Sequence, residues 1–134
     1  MEKTLLDALK QNKMVNKSSL IQKILGRDKY VMLNTTMLQK LGPDASCFLT
    51  FVLDRADFLE KSGQIKSVEE DGLFLYRSDI QNKVGISPYT QRRVEKQLME
   101  LGLMFVVEEK LKDNQTRNRY NIDLINLDNF LDKE

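Results

Sequence analysis

The 134-residue chain contains no histidine. That removes the commonest general base at neutral pH and the commonest metal ligand. It has one cysteine, Cys47, so an internal disulfide and a cysteine metal cluster are excluded. Set in an apolar helical pattern, Cys47 reads as a small core residue. The six glycines are scattered and build no phosphate-cradling loop. No apolar run approaches the roughly 18–20 residues that span a bilayer. Residues 1–11 include acids and no continuous apolar stretch, unlike a secretory signal. Glu69, Glu70 and Asp71 lack the spacing and the distant partner of a metal site. Asp7, Asp28 and Asp44 show no pairing that would support acid–base chemistry. These absences lead us to expect a cytoplasmic, non-membrane protein that is not an enzyme, with no catalytic residues, no cofactor and no metal.

What is present is an ordinary folding composition, 41% hydrophobic and 31% charged, over a length that suits one core. The net charge of +1 hides an uneven distribution. Residues 1–29 carry seven basic and three acidic groups, and residues 77–120 carry nine and six. Residues 121–134 carry one basic and four acidic groups. Basic segments around a neutral mean are compatible with a single DNA-facing surface.

Hydrophobic spacing divides the chain. Leu5, Leu6 and Leu9, then Leu20, Ile21, Ile24 and Leu25, predict two short amphipathic helices or one kinked helix. Residues 30–33 (YVML) read as an edge strand or extended lead-in, and residues 36–41 as a helical turn stopped at Gly42-Pro43. A long helix over about 44–61 carries Ala45, Phe48, Leu49, Val52, Leu53, Ala56 and Leu59 near a 3.6-residue period. The charges of Asp54, Arg55, Asp57 and Lys61 form its solvated face. A polar loop precedes a strand over residues 73–76. Ser78 is placed to cap a helix carrying Ile80 and Val84. A turn at Gly85-Ile86-Ser87 leads into a helix over about 88–101, with Ser87 as cap and Pro88 in first position. Residues 103–110 alternate as a strand, with Leu103, Phe105 and Val107 on one face. After a polar tip, residues 117–122 return as a second strand. A short acidic helix follows with Leu124, Leu127, Phe130 and Leu131. The expected layout is therefore a helical extension (1–29), a main domain (30–122) and a C-terminal helix (123–134).

The helix over 88–101 carries the functional expectation. At about 100° per residue from Tyr89, Val94, Leu98 and Leu101 cluster on one side as an apolar stripe. Tyr89, Arg92, Arg93 and Lys96 cluster on the opposite side of the same projection. A basic face with one aromatic fits a major groove roughly 12 Å wide, where arginine pairs with guanine. Ser87 and Thr90, at the helix start, are placed to hold backbone phosphate. In the hairpin over 110–119, which would lie along the DNA backbone or dip into the minor groove, Lys112 and Arg117 are the expected contacts. Lys110 and Arg119 read either as part of that basic rim or as cross-strand partners of Glu108 or Glu109. Asn114 and Gln115 read as turn residues.

Residues 78–122, SDIQNKVGISPYTQRRVEKQLMELGLMFVV…NRYNI, resemble the winged-helix domains of bacterial regulators and of plasmid or phage replication initiators. The shared pattern is GIS-x-x-T…L-x-x-LGL. The upstream YVMLNTTMLQKLGPDASCFLTFVLDRADF is similar to the lead-in of initiator N-terminal domains. The resemblance covers about two thirds of the chain. It implies a mostly helical α+β fold, a winged helix-turn-helix with a C-terminal β-hairpin wing, that binds double-stranded DNA, often as a dimer. It also implies that Ser87, Tyr89, Thr90, Arg92, Arg93 and Lys96 face the DNA. Gln91 and Glu95 depart from it, since many relatives carry apolar residues there. Either the helix is rotated slightly or these positions sit at a boundary. Initiators are usually longer, so the chain is either a fragment or a short relative. The leading expectation is sequence-specific duplex binding in plasmid or phage replication initiation. Transcriptional repression stands close behind, and a winged helix used for protein–protein contact is the third reading. Replication or transcription proteins would be further partners. A homodimer exchanging terminal apolar groups (Leu5, Leu6, Leu9, Leu20, Ile21, Ile24, Phe130, Leu131) would read an inverted repeat.

Overall fold

A computed structural model of the chain describes residues 17–25, 33–112 and 116–133. It divides into two compact units, Met1–Val31 and Met32–Glu134. In the first unit, helix α1 (Lys17–Leu25) follows the expected spacing, with Leu20 half-buried and Ile21 and Ile24 exposed. The amphipathic segment around Leu5, Leu6 and Leu9 lies outside the described residues, as do residues 30–32 of the expected lead-in strand.

The second unit begins with α2 (Thr35–Leu41), capped by the Asn34 side chain, which accepts from the Met37 N–H at 3.0 Å. Gly42 ends it and Pro43 opens α3 (Pro43–Lys61), where a residue without N–H costs no helix hydrogen bond. Helix α3 buries Ala45, Phe48, Leu49, Val52, Ala56 and Leu59 and is the scaffold of the core. The polar loop that follows is pinned where the Val68 N–H donates to Glu60 Oε1 at 3.0 Å. Then come β1 (Leu73–Leu75), α4 (Arg77–Val84), α5 (Pro88–Glu100), β2 (Met104–Lys110), β3 (Thr116–Ile122) and α6 (Leu124–Asp132). The strands form one antiparallel sheet in the order β1-β3-β2, so β3 is central. The unit is thus a mostly helical α+β structure with a small sheet. No helix among the described residues is long and apolar enough to cross a membrane.

Two local expectations are corrected. Helix α4 starts at Arg77, with Tyr76 as N-cap and no side-chain cap, so Ser78 lies inside the first turn. The strand phase is also shifted. Leu103 belongs to the turn before β2: its N–H donates to Leu98 O and its carbonyl accepts from the Asp123 N–H, both at 3.0 Å. The alternation therefore restarts at Met104. Met104 is buried and Val106 half-buried, while Phe105 and Val107 point to solvent.

Helix α6 belongs to this unit. Leu127 is buried, and Phe130 and Leu131 pack against the core, so these two are engaged within their own chain. Lys40 on α2 clasps the end of α6. Its ammonium donates to the carbonyls of Phe130 (2.6 Å), Leu131 (3.1 Å) and Lys133, and lies 5.4 Å from the Phe130 ring centroid. These carbonyls have no intrahelical partner, and a cation there also complements the helix dipole.

Gly72 sets the entry to β1. Its φ is +68°, and a Cβ there would lie 2.7 Å from the Tyr120 carbonyl and 2.9 Å from Asn121 Oδ1. Gly72→Ala should therefore cost about 1–3 kcal/mol or more. Gly63→Ala, with a similar φ of +76° and nothing within 4 Å, should cost less. Urea unfolding of both variants checks this, and equal losses would contradict the steric account.

Candidate nucleic-acid interface

Helix α4 closes at Gly85, in the left-handed conformation (φ 81°), whose N–H donates to Gln81 O at 2.9 Å. Ile86 is buried beneath the turn. Ser87 then caps α5, with its Oγ accepting from the Thr90 N–H at 3.2 Å and donating to Thr90 Oγ1 at 3.1 Å. Both hydroxyls predicted to hold phosphate thus serve first to fix the start of α5.

The packed face of α5 is Gln91, Val94, Glu95 and Leu98. Gln91 and Glu95 are not at a boundary; both are inside. Leu101, expected in the apolar stripe, is the C-cap and is exposed. Gaining Gln91 and Glu95 and losing Leu101 turns the centre of the buried arc by about 40°, across the point opposite the basic face, so the two faces stay opposed to within roughly 20°. Tyr89 (77% exposed), Arg92, Arg93 and Lys96 all reach solvent, as the spacing predicts.

A buried polar network explains the rotation. Arg77, in the first position of α4, donates from Nη1 to Glu95 Oε2 (2.9 Å) and from Nη2 to Oε1 (2.8 Å). The Tyr120 hydroxyl, from β3, donates to the same Oε2 at 2.8 Å, and Asn118 Nδ2 donates to that hydroxyl at 3.1 Å. Gln91 Nε2 donates to the carbonyls of Arg77 (3.0 Å) and Ile86 (2.8 Å). Two α5 side chains therefore tie the helix to α4, to the turn and to the sheet. At the outer side, Gln97 Nε2 reaches Leu41 O at 3.2 Å. Burial works against the charge of Arg77, but the hydrogen bonds and charge of Glu95 outweigh it and hold the guanidinium above its ordinary range. Burial also pushes the Tyr120 phenol well above its usual range, helped by the Glu95 carboxylate.

The basic residues differ in availability. Arg93 Nη2 is 2.6 Å from Asp44 Oδ2 on α3, with both side chains exposed. Arg92, Lys96 and Tyr89 form no ion pair among the described residues. In the hairpin, Lys112 is exposed near the tip. Arg117 is not free. It lies opposite Glu109, to which Nε donates at 3.2 Å, and its guanidinium carbon is 3.8 Å from the Phe74 ring centroid. The cross-strand pairing anticipated for Lys110 or Arg119 thus falls to Arg117. Lys110 faces Thr116, and Arg119 faces Val107 and Phe74. Asn114 and Gln115 lie outside the described residues. Spacing misses Asp44 and the network partners Arg77, Asn118 and Tyr120. The one legible signal is a polar pair, Gln91 and Glu95, four residues apart inside an apolar stripe.

Comparison with family models, with curated proteins and with solved structures finds no match to this chain.

Removing Glu95 leaves Arg77 and the Tyr120 hydroxyl without their acceptor. Glu95→Ala should cost about 2–4 kcal/mol, somewhat below a fully buried pair because about a fifth of the Arg77 side chain stays accessible. Chemical denaturation checks it, and a loss below about 1 kcal/mol would contradict the network's role. A pH dependence also follows. The folded phenol of Tyr120 holds its proton to higher pH than the unfolded one. The native state therefore binds more protons above the ordinary tyrosine range near 10, and stability falls as pH rises through that region. Tyr120→Phe should flatten the decline that sets in above about pH 10 in unfolding curves, and an unchanged slope would contradict the assignment.

Proposed function

We propose that residues 30–122 act as a winged helix-turn-helix that binds double-stranded DNA sequence-specifically and carries out no catalysis. Helix α5 enters the major groove and the β2–β3 hairpin serves as the wing. The observation that carries this reading is the exposed face of α5, where Tyr89, Arg92, Arg93 and Lys96 stand opposite Gln91, Val94, Glu95 and Leu98. A helix with its side chains is roughly as wide as the major groove, so such a face can reach base edges. Arg92 is the first candidate for a bidentate guanine contact. Arg93 can join it at small cost, because an exposed ion pair such as Arg93–Asp44 is worth only about 0–1 kcal/mol. Lys112 supplies a backbone contact from the wing, and Arg117 a weaker one given its engagement with Glu109 and Phe74. Plasmid or phage replication initiation is the leading role on the resemblance of residues 78–122, with transcriptional repression next. A homodimer would read half-sites about 34–36 Å apart.

Selection of random duplexes on the purified chain at two salt concentrations tests the reading. An enriched motif would support it; recovery without a motif, or no recovery, would count against specific reading. Arg92→Ala should cost about 1–3 kcal/mol and relax one position of the motif. Lys112→Ala should weaken all sequences alike and lower the salt slope by about one. Unchanged affinity in a folded Arg92/Arg93/Lys96 triple-alanine variant would remove α5 as the reading element. Asp44→Ala frees Arg93 and removes a negative charge, so binding to every duplex should tighten by roughly two- to fivefold. Weaker binding would instead make Asp44 a residue that orients Arg93.

A further inference from the structure

The sheet has two faces, and only one is accounted for by the core. Leu73, Tyr120 and Val106 form one inward row; Leu75 and Asn118 belong to another. The outward positions are Phe74 on β1, Phe105, Val107 and Glu109 on β2, and Arg117, Arg119 and Asn121 on β3. A strand with one wet face normally alternates apolar-in with polar-out. Here Phe105 is 54% exposed, Val107 49% and Phe74 43%, so both flanking strands turn apolar side chains outward. Between Phe74 and Val107, in the same row, stands Arg119, exposed and without an ion pair among the described residues.

We infer that this outer sheet face is a docking surface for a protein segment that presents a carboxylate among apolar side chains, with Arg119 receiving the carboxylate. The inference goes beyond DNA reading and does not depend on it. Covering Phe105 and Val107 also covers Arg119, and a desolvated guanidinium needs an anion. The partner must therefore carry one.

Composition and charge select among occupants. The chain has 14 lysines and seven arginines, yet the outward positions hold two arginines and no lysine. Arginine and aromatics enriched, with lysine depleted, is the signature of the core of a protein interface. A phosphate chain is a poorer fit. Arg117 is already neutralised by Glu109, which leaves Arg119 as the one unpaired cation among these described outward positions for a polyanion to meet. A second copy related by a two-fold axis brings an identical patch, and the one carboxylate among its outward strand positions, Glu109, is committed to Arg117. The N-terminal segment 1–29 carries Asp7 between Leu6 and Ala8 but is net basic, with seven basic and three acidic groups, so its own cations oppose docking beside Arg119.

The test is selection of displayed short random peptides on the purified full chain. Enriched peptides should share an Asp or Glu flanked by aromatic or aliphatic residues. A synthetic representative should lose about tenfold or more in affinity with folded Arg119→Ala or Val107→Thr protein. Amidation of its carboxylate should cost a similar factor in wild type and little more in Arg119→Ala. Binding should survive the Arg92/Arg93/Lys96 triple-alanine change, which separates this proposal from the DNA reading. No enrichment, or binding indifferent to Arg119, would overturn it. So would capture of fluorescent oligo(dT) that depends on Arg119 and Phe105, in favour of single-stranded nucleic acid. Concentration-dependent dimerisation in sedimentation, abolished by Val107→Thr, would overturn it in favour of a second copy.

Discussion

A carboxylate inside the protein, that of Glu95, sets the geometry on which the rest depends. An ionised acid in that position must be paired, and its partners come from different elements: Arg77 opens α4 and Tyr120 lies in the central strand. The charge is satisfied only when α4, α5 and β3 are all in place. Such a pair adds little net stability over a well-packed apolar alternative, because desolvation offsets most of the Coulomb gain. Its effect is orientation. Apolar side chains at 91 and 95 would tolerate small rotations of α5, whereas a two-point guanidinium–carboxylate contact has one geometry. Gln91, bonding two carbonyls one turn earlier, fixes the same angle a second time. The direction in which Tyr89, Arg92 and Lys96 face solvent follows from these buried contacts.

Long elements with strong periodicity are legible in the sequence. The α3 core residues Phe48, Leu49 and Val52, the Ser87-Pro88 start of α5 and the exposed basic face all follow from local rules of spacing and capping. What local rules miss depends on tertiary context. Leu103 satisfies an alternating pattern, but its backbone hydrogen bonds place it in the turn, and a shift of one residue exchanges the faces of β2. Arg117 reads as a wing-tip cation because it follows a polar turn. Its pairing with Glu109 and stacking on Phe74 require knowing which strands are neighbours. Gln91 and Glu95 stand out as anomalies that spacing does not resolve, since one partner precedes Glu95 by 18 residues and the other follows it by 25.

The arginines show how the chain divides structural from available charge. Arg77 is committed to the buried network, Arg117 to Glu109 and Phe74, Arg93 to Asp44, and Arg55 lies 5.2 Å from the Phe58 ring centroid. Among the described residues, Arg92 and Arg119 are the arginines left without such a contact. One projects from α5 and the other from the outer face of the sheet. A guanidinium binds carboxylate, phosphate or a guanine edge readily, so the neighbours decide its use. Arg92 has cations and a tyrosine on its face, which suits a polyanion. Arg119 has Phe74 and Val107, which suits an apolar surface carrying one acid.

If both surfaces are used, the elements they share offer a route for coupling between them. The strands that display Arg119, Val107 and Phe105 are the strands of the hairpin, and β3 also carries Tyr120, the hydrogen-bond donor to Glu95 on α5. A segment docked on the outer face restrains β2 and β3, and with them one of the anchors that orient the basic face. Any ordering it imposes there is ordering that DNA need not impose. Linkage makes any such effect reciprocal: if docking tightens duplex binding, duplex tightens docking by the same factor. Coupling of this kind would run through the polar network, whose members are the side chains shared between sheet and helix.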